Sequence, residues 1–266
     1  MEKDLEKYRE CGKKIEQFIR PLTFPIAVKL IKDESEIPPK TRRPPTKNFI
    51  CQNFKMTRSY GWTIAVLKED CVCKFARGVY RWDEPSDEML KFAEQFEVGL
   101  YSNDVETARK IRNHQYILKE DYIGLVLSPL TRTKIIPDVV LTYCLPGQAM
   151  RLTQSYLYFE GGILEFTDAG RIGSCHIGVI KTIQTEKPQL VILGNGDRVW
   201  GGAQDSEVMY AIPRSKLESI VIGLEATHKA GLRYPIPQYM NYEPGFQSAF
   251  QSRAKKRAGG TILKED

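Results

Sequence analysis

Cys11, Cys51, Cys71, Cys73, Cys144 and Cys175 are the residues of this chain best suited to chemistry. The opening stretch MEKDLEKYRECGKKIEQ is too charged for a secretory leader. Without an export signal the thiols are expected to stay reduced or to ligate a metal, not to pair as disulfides. Cys71-Val72-Cys73 puts two thiols within reach of one ion on a loop or turn, and on one face of a strand. Cys51 and Cys175 each stand at the expected N-terminus of a helix, where unpaired N–H groups and the helix dipole lower a thiol's pKa. Thiolates are what a zinc ion or an iron–sulfur cluster takes. Cys51, Cys71, Cys73 and Cys175, carried on three loops, would together close a four-thiolate site, with His176 as a substitute ligand. The spacing is not that of a ferredoxin or a zinc ribbon, so buried or reactive thiols stand as the alternative. Cys11 and Cys144 read as structural.

A second chemical signal is the stretch 160–213, which holds nine of the twenty glycines, His176 and the carboxylates Asp205 and Glu207. Glycines cluster where backbone takes φ > 0 or lets a ligand come close. Gly194-Asn195-Gly196 follows the strand LVIL as a phosphate loop would. No GK[ST] or GxGxxG follows it, so a hairpin turn is expected. The turns at 170–174 and 194–202 are expected to face one another as the rim of the main pocket. Arg171, Gly173, Ser174, His176, Gly194, Gly196 and Arg198 are then the ligand-binding candidates.

Two functions follow. The first is a redox protein holding an iron–sulfur cluster or another thiolate-ligated metal. The second is a metal-free module that binds or transforms a small anion, with Cys175 as a reactive thiol, His176 as its base and Arg171 or Arg198 as an anion clamp. No HExxH, GxSxG or paired CxxC is present, so catalytic residues stay unassigned and enzymatic activity stays open.

Periodicity supplies the elements that must carry these groups. Helices are expected at 4–20, 48–60, 86–97, 104–113, 146–158 and 214–231. Strands are expected at 24–31, 62–67, 122–130, 139–144, 188–193 and 206–212. The proline-rich segment 32–47 reads as a loop. The pattern is that of an α+β protein with a mixed, largely antiparallel sheet and flanking helices. Residues 1–231 form one domain, or two intimate subdomains at 1–120 and 121–231. Residues 232–266 read as a C-terminal extension packed on the body, with a mobile basic end. With 42% hydrophobic and 27% charged residues the composition is that of an ordinary soluble chain, and no run reaches the ~20 apolar residues of a membrane span. A cytoplasmic location is expected. The net charge of +6 permits an anionic partner without demanding one. The expected partners are a small molecule or a redox partner protein, with neither membrane nor nucleic acid.

Particular runs sharpen the picture. PDVVLTYCLPGQAMRLTQSYLYFEGG, a cysteine-led helix after a small-residue turn, then DSEVMYAIP and a long helix resemble the uncharacterised ArCR family (domain of unknown function 169). The N-terminal half is similar too: a PIAVKL strand, a cysteine at a loop–helix junction, RSYGW, then a cysteine after a short acidic loop. The resemblance spans roughly residues 10–231. It implies no settled activity. It implies that Cys51, Cys73 and Cys175 occupy family cysteine positions, whereas Cys71 and Cys144 are peculiar to this chain. It also implies that other members carry cysteine where this chain has Asn195, a missing ligand that Cys71 would replace. The family is common in archaea and anaerobic bacteria, a setting that favours an iron–sulfur cluster over zinc.

Overall fold

The computed structural model describes residues 2–83 and 86–236. The chain divides into two compact units, 1–232 and 233–266. The first carries every element described below. The packed extension and basic end expected for 232–266 lie, beyond residue 236, outside the described residues.

The β-rich, apolar runs form a six-stranded sheet: β1 (Ile26–Ile31), β2 (Ile64–Leu67), β3 (Gly124–Pro129), β4 (Val139–Cys144), β5 (Gln189–Ile192) and β6 (Val208–Pro213). Their order is β2-β3-β1-β4-β6-β5. Each neighbouring pair is antiparallel, so the sheet is antiparallel rather than mixed. Val28 in β1 lies between Leu127 of β3 and Val139 of β4. Nearly all strand residues are buried. That explains why these strands read as continuous apolar runs: both faces are covered, a pattern more usual in parallel sheets.

One face is covered by α1 (Glu2–Ile19), α6 (Pro146–Glu160) and α9 (Arg214–Lys229). Ala27, Ile31, Val126, Val140, Tyr210 and Ile212 point into this layer, together with Cys11 and Cys144. The helices α6 and α9 meet at Gly223, where an added Cβ would lie 2.3 Å from the Ser155 carbonyl oxygen.

The opposite face receives Val28, Leu30, Val66, Leu127, Leu141 and Met209. It is covered by α2 (Ile50–Tyr60), α3 (Lys74–Val79) and a π-helix, Gly173–Lys181, that runs on into α7 (Thr182–Thr185). Cys71 and Cys175 belong to this layer and Cys73 packs against it. The sheet thus separates the two structural cysteines from the others. Also present are α4 (Asp87–Glu97) and α5 (Val105–Asn113), joined by Glu94, which accepts from Arg109 and Arg112 at 2.9 Å each. The expected strands hold to within two residues at each end. The expected hairpin at Gly194–Gly196 does not form. Asn195–Val199 is a short helix, α8, because Arg198 and Trp200 N–H bond back to the Gly194 and Gly196 carbonyls.

Candidate thiol site

The π-helix positions Cys175. It begins after Ile172, a β-branched residue held at φ 56, ψ 51, the left-handed region that such side chains avoid. Gly173 then lies so close to β5 that an added Cβ would meet Val191 Cγ1 at 2.9 Å and the Ile192 carbonyl oxygen at 3.3 Å. Gly178, on the same helix, faces Met209 of β6 at 2.7 Å on the same test. Two glycines therefore press this helix onto the sheet edge. Wide π turns and strained residues both concentrate at functional positions.

Four elements meet beside Cys175. Cys51 sits in the first turn of α2, against the second glycine turn: an added Cβ on Gly201 would lie 3.2 Å from Cys51 Cβ, and one on Gly196 would lie 4.0 Å from its Sγ. Asp197, on α8, is buried. Its carboxylate accepts from the Ser174 hydroxyl, and its charge adds to burial in raising the Cys51 thiol. The first and second glycine turns therefore do meet, through Ser174 and Asp197. Cys73 caps α3, its Sγ accepting from Ala76 N–H at 3.5 Å. Cys71 directs its thiol to the Cys73 carbonyl oxygen at 3.9 Å.

Burial governs the charge states. Desolvation pushes the thiols of Cys51 and Cys175 far up; Asp197 and Cys73 push Cys51 further, and Cys51, Cys73 and Asp197 push Cys175 further. Cys73 is also raised by burial, with Arg171 opposing, and Cys71 is pushed up to about 12. Both helix N-termini were expected to depress Cys51 and Cys175. The opposite holds, because a half charge at a helix end cannot offset removal from water amid other acidic groups. Asp197 itself is raised by burial, against its hydrogen bonds. The Tyr80 hydroxyl, fully buried, has no oxygen or nitrogen partner, and the Cys175 thiol is the polar group bearing most on it.

Arg58 fixes the second glycine turn. It is 2% exposed, pairs with Glu207 at 2.9 Å, donates to the Gly202 carbonyl at 3.1 Å and stacks on Tyr143 at 4.1 Å. Glu207 in turn accepts from Gln204 N–H at 2.9 Å.

The remaining candidates stand elsewhere. His176 turns away from the thiols: Nδ1 accepts from Tyr116 N–H and Nε2 donates to the Arg171 carbonyl, each at 3.3 Å. Burial lowers it to about 4, so it is neutral and serves neither as a substitute ligand nor as a base for Cys175. Arg171 is no open anion clamp, since it is buried against Glu97 and stacks on Phe75 at 3.8 Å. Arg198 is on the surface, paired with Asp205. A depression of about 320 Å³ lies on the Arg171 and His176 side, with Lys110 and Gln115 on its far wall; it is not rimmed by the 194–202 turn. Sequence reading missed Asp197, Arg58 and Glu97. Only the glycines flanking Asp197 hinted at its burial.

Among the described residues no three His, Cys, Asp or Glu side chains stand around a common point at metal-ligand distance. Cys51 and Cys73 are half-buried and Cys175 is buried, and the Tyr80 hydroxyl near Cys175 has no hydrogen-bond partner among the described residues.

These features define a class: an antiparallel α+β domain in which partly buried thiols and a buried carboxylate lie between an edge-bound π-helix and two short helices. The chain belongs to the uncharacterised ArCR family, domain of unknown function 169, whose model matches residues 14–223. It is 28% identical to an uncharacterized protein of Methanocaldococcus jannaschii over 225 residues, covering 84% of this chain and 95% of that one. No solved structure matches the chain. Among the described residues no helix is long and apolar enough to cross a membrane.

Proposed function

We propose that the chain binds an iron–sulfur cluster or another thiolate-ligated metal at Cys51, Cys73 and Cys175, in a redox role, with Cys71 as the fourth thiol within reach. The observation that supports this most is the gathering of half-buried Cys51 and Cys73 and buried Cys175, from α2, the α3 cap and the π-helix, into one region where, beyond burial, Cys51 and Cys73 both raise the Cys175 thiol and Cys73 raises that of Cys51. Buried acidic groups that repel one another are costly unless a cation compensates them. A bound cluster supplies one-electron transfer. The chain's own residues would set its surroundings: Ser174 and the π-helix N-terminus offer donors, Tyr80 offers a hydroxyl, and the sheet excludes water. A redox protein is the implied partner.

The test is protein purified without oxygen, then examined by absorbance with iron, sulfide and zinc analysis. Broad visible absorbance with stoichiometric iron and sulfide is expected. Colourless protein free of iron and zinc, which also takes up neither on anaerobic reconstitution, overturns the reading.

A further inference from the structure

We infer that the depression of about 320 Å³ beside Arg171 and His176 binds a small organic monocarboxylate with an apolar body. The inference stands apart from the metal-binding reading, since His176 faces away from the thiols.

The walls of the depression are tied together. Arg171 comes just before the π-helix and Gln115 just after α5. His176 bridges the two segments: Nδ1 accepts from Tyr116 N–H and Nε2 donates to the Arg171 carbonyl, each at 3.3 Å. Both ring nitrogens are thereby engaged, so the imidazole lines the depression as an apolar ring. It is stacked on Tyr116, with centroids 6.2 Å apart. From α7, Gln184 Nε2 donates to the Ile117 carbonyl at 2.7 Å and holds the same loop. A cleft fixed in advance loses little freedom when it is filled.

Two buried donors on these walls have no acceptor among the described residues: Arg171 Nε and Gln115 Nε2. Arg171 is 6% exposed. Its Nη1 is paired with Glu97, and its guanidinium lies 3.8 Å from the Phe75 ring centre. That pair cancels the charge of Arg171 and leaves it one unused N–H. Buried donors are rarely left so, and both call for an oxygen acceptor. A small turn of either side chain toward the depression would hand it a ligand oxygen. The rest of the lining is apolar: Ile111, Ala169 and Gly170, where an added Cβ would meet nothing within 4 Å. Lys110 stands on the far wall. Its exposed pair with Glu106, at 3.0 Å, is of the weak surface kind that gives way readily.

Two donors and one cation match a single carboxylate, and the apolar lining matches a hydrocarbon body. A phosphate would carry more charge than Lys110 offsets and would leave that lining uncovered. The volume is at the lower end of the ~300–1,000 Å³ of ligand clefts, so the occupant is small.

The experiment titrates the full chain, as purified, with benzoate, isobutyrate, benzamide and inorganic phosphate, followed by nitrogen-15 nuclear magnetic resonance. Benzoate and isobutyrate are expected to shift the amide signals of Gln115, Tyr116, Ala169 and Gly170, and the Arg171 Nε–H, to saturation. Benzamide and phosphate should bind at least about tenfold more weakly. Two variants, each shown to be folded by circular dichroism, probe the walls. Gln115→Leu removes one orphaned donor at nearly constant volume and should weaken benzoate about tenfold, as for one hydrogen bond to a charged group. Ala169→Leu fills the depression and should abolish the shifts. Arg171 is left in place, because its loss would strand buried Glu97. Shifts that never saturate, or that fall on other surfaces, overturn the inference, as does parent-like benzoate binding in either variant. Benzamide binding as tightly as benzoate overturns the carboxylate, and phosphate binding as tightly overturns the apolar body. Metal uptake enters none of these readouts.

Discussion

Cys51 illustrates how burial outweighs local geometry. At the first turn of α2 it has the position of an activated thiol, yet burial and Asp197 hold its proton on. Cys175 behaves alike. Both pKa values are raised in the fold, whereas an unfolded thiol titrates near ~8.5. The unfolded chain therefore releases these protons first, and stability present below about pH 8.5 declines as pH rises above it. Metal-free protein should melt at progressively lower temperature above that pH, and the Cys175→Ala variant should show a shallower decline. A calorimetric series across pH 7 to 10 checks this. Arg58 makes the second case. Breaking one member of a buried ion pair costs ~3–5 kcal/mol, so Glu207→Gln should lower urea stability by about that amount and loosen the glycine turn. Cys51, Cys73 and Cys175 were legible because cysteine is scarce and chemically distinctive. Asp197 and Arg58 were not, because in sequence they look like any surface charge. Their burial depends on partners far away, Glu207 being 149 residues from Arg58.

At the scale of elements, propensity located the strands, but two local shapes escaped it. The 194–196 turn carries hairpin chemistry and became helix α8, since residues 195–199 satisfy their own carbonyls and Asp197 is tied to Ser174. The 173–181 segment was expected as an ordinary helix, and its π winding follows from docking Gly173 and Gly178 onto β5 and β6. Close packing elsewhere gives a paired prediction. Gly223→Ala would drive a Cβ into the α6 backbone, and overpacking of this kind costs ~1–3 kcal/mol. Gly78→Ala, inside α3 with open space around it, should stabilise by ~0.5–1 kcal/mol through helix propensity. Thermal melts of the two variants should move in opposite directions. Equal shifts would contradict the packing of α9 on α6.

For the whole domain, the sheet order puts β1 and β4 at the centre and β2 and β5 at the edges. Amide exchange should then be slowest in β1 and β4, where opening requires global unfolding, and faster along the free side of β5, where Ile192 is exposed. Hydrogen exchange read by mass spectrometry settles the order, and uniform protection across all six strands would count against it. Periodicity could reveal the six strands but not their neighbours. Adjacent antiparallel strands can be arranged in many orders without changing any local pattern. What fixes this one is which apolar face each helix covers, a property spread over the whole chain.

The pairing of β1 with β4 also has a consequence for biosynthesis. A ribosome releases Ile26 long before Val139, so the central seam of the sheet stays open while the intervening chain is made. The thiols follow the same schedule: Cys51 and Cys73 emerge early, and Asp197 trails Cys73 by 124 residues (197 minus 73). At ~5–20 residues per second that delay is about 6–25 s. Throughout it the nascent thiols lack the carboxylate and the π-helix that later enclose them. The thiol region is thus enclosed only after translation has passed β6, and a stalled chain ending before residue 139 should neither close its sheet nor shield Cys51 from alkylation.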